Sequence, residues 1–497
     1  MPANFDPGRL VMVDLPGREL DTERADFLRA QGIRAVCLFR KNLGSEDAVC
    51  RLTAQLREVL GPYGLIGLDQ EGGSVVRSTT LPQPPSAMSL GAGADPGRAR
   101  AVGAAVARGL RRLGVNWNFA PVLDVNNNPA NPVIAERAFS DEPEGVARLA
   151  GAWMEGSLAE GVACCVKHFP GHGDTHVDSH HDLPWVDKSR AELERLELRP
   201  FKALRHAAPA MMTAHIVYPQ LDPEYPATLS PVLLQGILRD EWGYEGAVIT
   251  DALMMKAVAE RYGYARAAVL AIAAGADMVL AQGSLDEQRE SLDALRQAFA
   301  DGRLSPAQGQ RAQQRLDRLA ARYPLAPAGY ENAQRADDEA LMARAWAAGL
   351  TALRGAQAPQ RDARLRVLVQ NAVPTDMVSE AGPGAQQVLD LFADHFSDVQ
   401  PLLVDDLAAL RWNELPQDGR LNVLVSTRRA RYDERARHWR PDLHLVLWNP
   451  YQALDVDAPA LLSYGYAGGA LAAVRDWLRG AAPAPGRALQ SLQGGRP

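Results

Sequence analysis

From the N-terminus the chain alternates short apolar runs with longer amphipathic stretches. Eight runs can be counted: LVMVDL (10–15), AVCLF (35–39), LIGLD (65–69), VNWNFAP (115–121), VACCVKHF (162–169), AMMTAHI (210–216), AVITD (247–251) and DMVLAQ (277–282). Runs of this length are what strands buried on both faces look like in a sequence. Between them lie helical patterns at 45–60, 97–113, 144–160, 189–206 and 256–275, long enough to cross back over a parallel sheet. Eight such units predict an α/β fold, a TIM-like (β/α)8 barrel. A doubly wound open sheet is the competing layout, but it usually has fewer strands, and no GxGxxG follows the first run.

The polar residues agree with the barrel. Asp69, Asp124, Lys167 with His168, His215 and Asp251 all fall at or just beyond the C-terminal ends of their runs, where such a barrel keeps its active site. After the eighth run, helical patterns at 284–301 and 305–322 lead to a break between Tyr323 and Tyr330, where Pro324, Pro327 and Gly329 interrupt periodicity. The barrel is therefore expected over 1–323 and a linker with a connecting helix over 324–354. A smaller α/β domain is expected over 355–480, built on LRVLVQ (365–370), LNVLVS (421–426) and LHLVLWN (443–449). The segment 481–497, rich in proline and glycine, is expected to fray.

Composition narrows the function classes. The 497 residues are 47% hydrophobic and 23% charged, the balance of a soluble globular protein with a large core. A net charge of −7 and the lack of a long basic run disfavour nucleic acid or anionic lipid as a partner. Neither a signal-peptide run nor a membrane-spanning run is seen, so a cytoplasmic protein is expected. Cys37, Cys50, Cys164 and Cys165 lack CxxC spacing and are expected to be buried free thiols. Oligomeric state is not readable from the sequence.

The most unusual stretch is KHFPGHGDTHVDSHHDLP, 167–184, which holds five of the ten histidines. Their four-residue spacing would form one face of a helix, but Pro170, Gly171 and Gly173 make this a loop leaving the fifth strand. Three readings compete: a metal site, a loop delivering a general acid/base, and a structural loop whose histidines satisfy backbone groups. Zinc needs a fixed set of three or four ligands, and neither HExxH nor paired cysteines are present, so no metal and no cofactor is expected. In the acid/base reading Asp178 orients and polarises the imidazole of His180, a group already near neutral pKa.

The loop resembles the signature of glycoside hydrolase family three in its bacterial β-N-acetylglucosaminidase branch. The resemblance covers about the first 320 residues and includes GLDQEGGSVVR (67–77), NFAPVLDVNNNPANPVIAERAFS (118–140), MMTAHIVYP (211–219) and VITDALMM (248–255), in the family's order. It implies Asp251 as nucleophile and Asp178 with His180 as the acid/base dyad. It also implies that Asp69, Arg77, Arg137, Lys167 and His168 hold a sugar, with Asp124 and His215 in support. The substrate implied is a small carbohydrate, an N-acetylglucosaminide of the kind found in peptidoglycan fragments, cleaved with retention. Phosphate in place of water as acceptor is the nearest alternative, with another retaining β-glycosidase on the same site beside it. A barrel aldolase using Lys167 as a Schiff base, and a carbohydrate-binding pseudoenzyme, are the readings from other classes. The second domain resembles the family's C-terminal α/β sandwich in LWNPYQ (447–452) and SYGYAGG (463–469).

Overall fold

The computed structural model describes residues 5–179, 182–373, 379 and 381–493. The eight apolar runs become eight parallel strands: β1 Val11–Asp14, β2 Ala35–Cys37, β3 Leu65–Leu68, β4 Trp117–Asn118, β5 Ala163–Phe169, β6 Ala210–Thr213, β7 Ala247–Ala252 and β8 Met278–Ala281. Each pairs with its neighbours in sequence, and β8 closes on β1 through Val279, Leu280 and Ala281 opposite Val11, Met12 and Val13. The sheet is a closed barrel rather than an open one. Every residue of these strands is buried except Asp251, which is partly exposed.

β4 is shorter than the run that encodes it, because Pro121 has no N–H to give to a ladder. The chain nevertheless continues beside β5, where Val122 bridges Lys167. Close packing fills the barrel: Trp117 meets Phe119 edge-to-face at 5.2 Å, and Phe119 occupies the space that a side chain at Gly67 would need.

Helices cover the outside, and two of them break where a single one was expected. The pattern at 189–206 is Arg190–Arg195 followed by Leu198–Leu204. A capping box of Ser189 and Glu192 starts it, and Pro200 cannot supply the N–H that Leu196 would accept. The pattern at 256–275 divides into Lys256–Tyr262 and Tyr264–Ala274 at Gly263, whose φ of +69° is open to glycine. Helices Thr22–Ala30 and Val232–Glu241 complete the ring.

The helix Asn332–Gly349 joins the barrel to a second sheet. It is pinned to the barrel: Arg108 grips the buried Asp338 with Nε at 3.0 Å and Nη2 at 2.5 Å, and Trp346 donates to the Gln83 carbonyl at 3.2 Å. The second sheet contains β9 Thr351–Leu353, β10 Arg364–Gln370, β11 Asp398–Val404, β12 Leu421–Ser426, β13 Leu443–Val446 and β14 Ala460–Leu462. Its order is β9-β14-β13-β12-β10-β11, parallel except for β9. Along β10, Leu365, Val367 and Val369 enter one apolar cluster and Leu368 another, so the sheet is covered on both faces.

The expectation of a frayed tail needs correction over 481–493. Gly486 donates to the Leu350 carbonyl at 2.8 Å and Arg487 to Ala92 at 2.9 Å, while Leu492 is buried. Proline and glycine here allow an extended strap along both parts of the molecule, where composition alone suggested disorder. Of the cysteines, Cys37, Cys164 and Cys165 are buried and Cys50 is half-buried, all as free thiols.

Candidate active site

The C-terminal ends of the barrel strands surround one pocket. Asp69, Arg77, Arg137, Lys167, His168 and Asp251 all line it, joined by Glu71, His172 and Ser179. These residues arrive from different elements: Asp69 follows β3, Glu71 lies in the hairpin after it and Arg77 just past that hairpin, Arg137 closes a 3-10 turn at Ala135–Arg137, and Lys167 and His168 lie near the end of β5. The Lys167–His168 peptide is cis.

A chain of alternating charges runs along one wall. Lys167 Nζ lies 2.6 Å from Asp69 Oδ1 and 2.7 Å from Glu71 Oε1. Arg137 grips Glu71 in a fork, Nε to Oε2 at 2.9 Å and Nη2 to Oε1 at 2.8 Å, and Arg77 Nη2 reaches Asp69 at 3.2 Å. Burial alone would push both carboxyls towards the neutral form. Lys167 and Arg77 outweigh it at Asp69, and Arg137 and Lys167 outweigh it at Glu71, so both sit below the usual carboxylate range. Burial likewise opposes the charge on Lys167, and Asp69 and Glu71 reverse that effect and raise its pKa. The wall therefore presents fixed acceptors beside fixed donors, which suits the paired hydroxyls of a sugar. It does not suit a Schiff base, because an amine held protonated between two carboxylates is a poor nucleophile.

Asp124 and His215 stand behind this wall. Asp124 is fully buried and accepts three N–H donors: His168 Nδ1 at 2.7 Å, and the backbone amides of His168 at 3.1 Å and His172 at 2.7 Å. Burial opposes its charge, yet His168 and these donors lower its pKa. It thus fixes both the His168 ring and the start of the histidine loop. His215 hydrogen-bonds through Nε2 to the carbonyl of Ala252 at 3.0 Å and through Nδ1 to Thr228 at 2.7 Å, bracing the end of β7 beside Asp251. Asp251 itself accepts the Ala252 amide at 2.7 Å.

The histidine loop is held from within. His172 bridges Thr175 Oγ1 at 2.9 Å and Ser179 Oγ at 3.1 Å, and burial pushes its pKa down to about 4. Asn131 holds the His172 carbonyl at 2.8 Å, and Asn128 meets His176 Nδ1 at 3.3 Å. Among the described residues no group of three metal-ligand side chains is placed to hold an ion. Asp178 is half-buried, and its neighbour Ser179 reaches the pocket wall. His180 lies outside the described residues.

Sequence reasoning passed over Glu71, His172 and Ser179. Glu71 was within reach: it stands inside GLDQEGG, two residues after Asp69, and only the fold shows that Lys167 and Arg137 meet on it.

Comparison with known proteins agrees with this geometry. Residues 7–319 match the model of the glycosyl hydrolase family 3 N-terminal domain. The chain belongs to glycosyl hydrolase family 3. It is a glycoside hydrolase. Among relatives in the family, a beta-hexosaminidase of Alkalilimnicola ehrlichii is 40% identical over 279 residues, covering 54% of this chain and 79% of the relative. A beta-hexosaminidase of Chromobacterium violaceum is 38% identical over 320 residues, covering 63% and 87%. The solved glycoside hydrolase family 3 beta-N-acetylglucosaminidase from Paenibacillus sp. str. FPU-7 superposes with a TM-score of 0.86 at 31% identity, over 97% of both chains. Among the described residues no helix is long and apolar enough to cross a membrane.

Proposed function

We propose that this protein is a retaining β-N-acetylglucosaminidase in which Asp251 is the nucleophile. The observation that carries the reading is that Asp251, alone among the strand residues of the barrel, is partly exposed, and that it opens into the pocket lined by the Asp69–Lys167–Glu71–Arg137 chain. A carboxylate at the end of a rigid strand is held for attack on an anomeric carbon. The names of the beta-hexosaminidase relatives and of the Paenibacillus beta-N-acetylglucosaminidase support the sugar assigned. The peptidoglycan fragments and the cytoplasmic site of action implied by the branch resemblance belong to the same reading.

In the first step the Asp251 carboxylate bonds to the anomeric carbon as the glycosidic C–O bond breaks, and protonated His180 gives its proton to the departing oxygen. In the second step water attacks the glycosyl ester, neutral His180 takes the water's proton, and Asp251 leaves as carboxylate. Two inversions give retention. Asp178 precedes His180 by two residues and stabilises the imidazolium. Asp69, Arg77, Arg137, Lys167 and His168 hold the sugar, with Asp124 and His215 fixing His168 and the end of β7. Support for the loop's role comes from Ser179, which stands between the two dyad residues in sequence and lines the pocket.

A leaving-group series tests the assignment. Asp251→Ala is expected to lose turnover of every aryl N-acetyl-β-glucosaminide. His180→Ala should retain far more activity on activated aryl glycosides than on natural disaccharides, by about 100-fold, because a good leaving group needs little protonation. Azide should partly rescue His180→Ala and give a β-glycosyl azide. Equal losses across leaving groups would remove His180 from the role. Running the series with and without phosphate separates hydrolysis from phosphorolysis, and aryl glycosides of other sugars test the N-acetylglucosamine preference.

A further inference from the structure

The turn that carries Arg137 is held from outside the barrel. Ala135 adopts φ +38°, a conformation that residues with a Cβ rarely take, so the turn keeps its shape only with support from its surroundings. Next to it, the Glu136 side chain is fully buried and points away from the pocket. Its Oε1 accepts the Ser74 hydroxyl at 2.5 Å and the Trp448 indole N–H at 2.9 Å. Arg429 brings Nη2 to 4.0 Å from the same oxygen, with its guanidinium 5.6 Å from the centre of the Trp448 ring. Trp448 and Arg429 both belong to the second domain, in the segments that follow β13 and β12.

The same arginine reaches the substrate side of the turn. Arg429 Nη1 donates to the Val133 carbonyl at 3.0 Å, and Arg137 Nη1 donates to that carbonyl at 3.1 Å. Two guanidinium groups, one from each domain, therefore share one oxygen. Arg431 adds a third point, donating to the Pro129 carbonyl at 2.8 Å while it grips Asp455 in a fork at 2.7 and 2.5 Å. Ser74 lies in the hairpin that carries Glu71, so the contact at Glu136 ties together the loops that bear Glu71 and Arg137. A long loop with little secondary structure of its own gains fixed geometry from anchors of this kind.

We propose that Arg429 and Trp448 are positioning residues for substrate binding: the second domain holds the strained 133–137 turn, and through Arg137 the Glu71–Lys167–Asp69 chain, in the shape that receives the sugar hydroxyls. The proposal rests on the reading of Arg137 as a sugar-holding residue. A contact that shapes the binding wall equally for substrate and transition state acts on KM, whereas a contact needed only for folding lowers the amount of active enzyme.

The test uses the full chain with Arg429→Ala, Arg429→Lys and Trp448→Phe, assayed on an aryl N-acetyl-β-glucosaminide after active-site titration. Arg429→Ala is expected to raise KM about tenfold with kcat within about threefold of the parent, and Arg429→Lys to recover part of the loss. Trp448→Phe leaves an aromatic but smaller side chain that lacks the N–H, and should raise KM about threefold. Unchanged KM in Trp448→Phe and Arg429→Ala, or a fall confined to kcat, overturns the proposal. If Arg429→Ala does not fold, Trp448→Phe and Arg429→Lys decide it. Failure of the parent enzyme to act on N-acetylglucosaminides would sink the functional reading and this proposal with it, whereas an active parent with indistinguishable variants sinks this proposal alone.

Discussion

The charged residues of the pocket differ in what holds them. Asp69 and Glu71 are fixed by cations, Asp124 by N–H donors, and His172 by two hydroxyls in a buried setting that keeps it neutral. The last has a consequence for stability. Burial lowers the folded pKa of His172 to about 4, below the ordinary imidazole value of 6.5, so the unfolded chain binds this proton first as pH falls. Its contribution is therefore complete above pH ~6.5 and is lost between there and pH ~4, amounting to about 2 kcal/mol between pH 7 and pH 5. Denaturant midpoints of the parent and His172→Gln at the two pH values check this: the variant should show the smaller drop by about that amount. Other acid-sensitive groups, such as buried His444, titrate alike in both proteins and cancel. An equal drop in the two proteins would mean that His172 titrates in the folded protein as it does in the unfolded chain. At this scale the sequence is readable where a residue type is rare in its place, as with Asp251 at a strand end. It is not readable where the role is made by partners from distant loops, as with Glu71.

Elements are legible to the extent that their periodicity is local. The eight apolar runs and the capping residues mark strands and helix starts because burial and the first unpaired N–H groups impose them residue by residue. The approach of one helix to another leaves no such trace. Helices Pro96–Arg112 and Pro143–Ala159 pack backbone to backbone through glycines: a Cβ at Gly156 would lie 2.0 Å from the Arg100 carbonyl oxygen, and one at Gly103 2.0 Å from that of Trp153. Gly156→Val is accordingly expected to destabilise the fold by about 3 kcal/mol, because neither helix can retreat without opening the packed layer behind it. Gly236→Ala is the control, since the added methyl meets nothing closer than the Pro231 carbonyl oxygen at the start of its own helix, at 3.8 Å. Chemical denaturation of both variants gives the comparison, and similar midpoints would show that the helix pair tolerates separation.

Across the whole molecule, the barrel builds the pocket and the second domain braces one of its walls. The barrel and the second sheet touch at Val133 and Glu136, through Arg429 and Trp448. That contact was invisible in the sequence, because Arg429 and Trp448 lie about 300 residues from their partners, and the LWNPYQ stretch that holds Trp448 carries no sign of what its indole meets. The strap over 481–493 was misread for a related reason: its order comes from the surfaces it crosses, not from its own pattern. The central claim concerns the bond that Asp251 makes. Brief incubation with a 5-fluoro N-acetylglucosaminyl fluoride, which forms a glycosyl-enzyme faster than it releases it, followed by proteolysis and mass spectrometry, tests that claim directly. The account predicts one added sugar on the peptide containing Asp251, absent from Asp251→Ala. A label on another residue, or no label from an enzyme whose first product has inverted configuration, would contradict it.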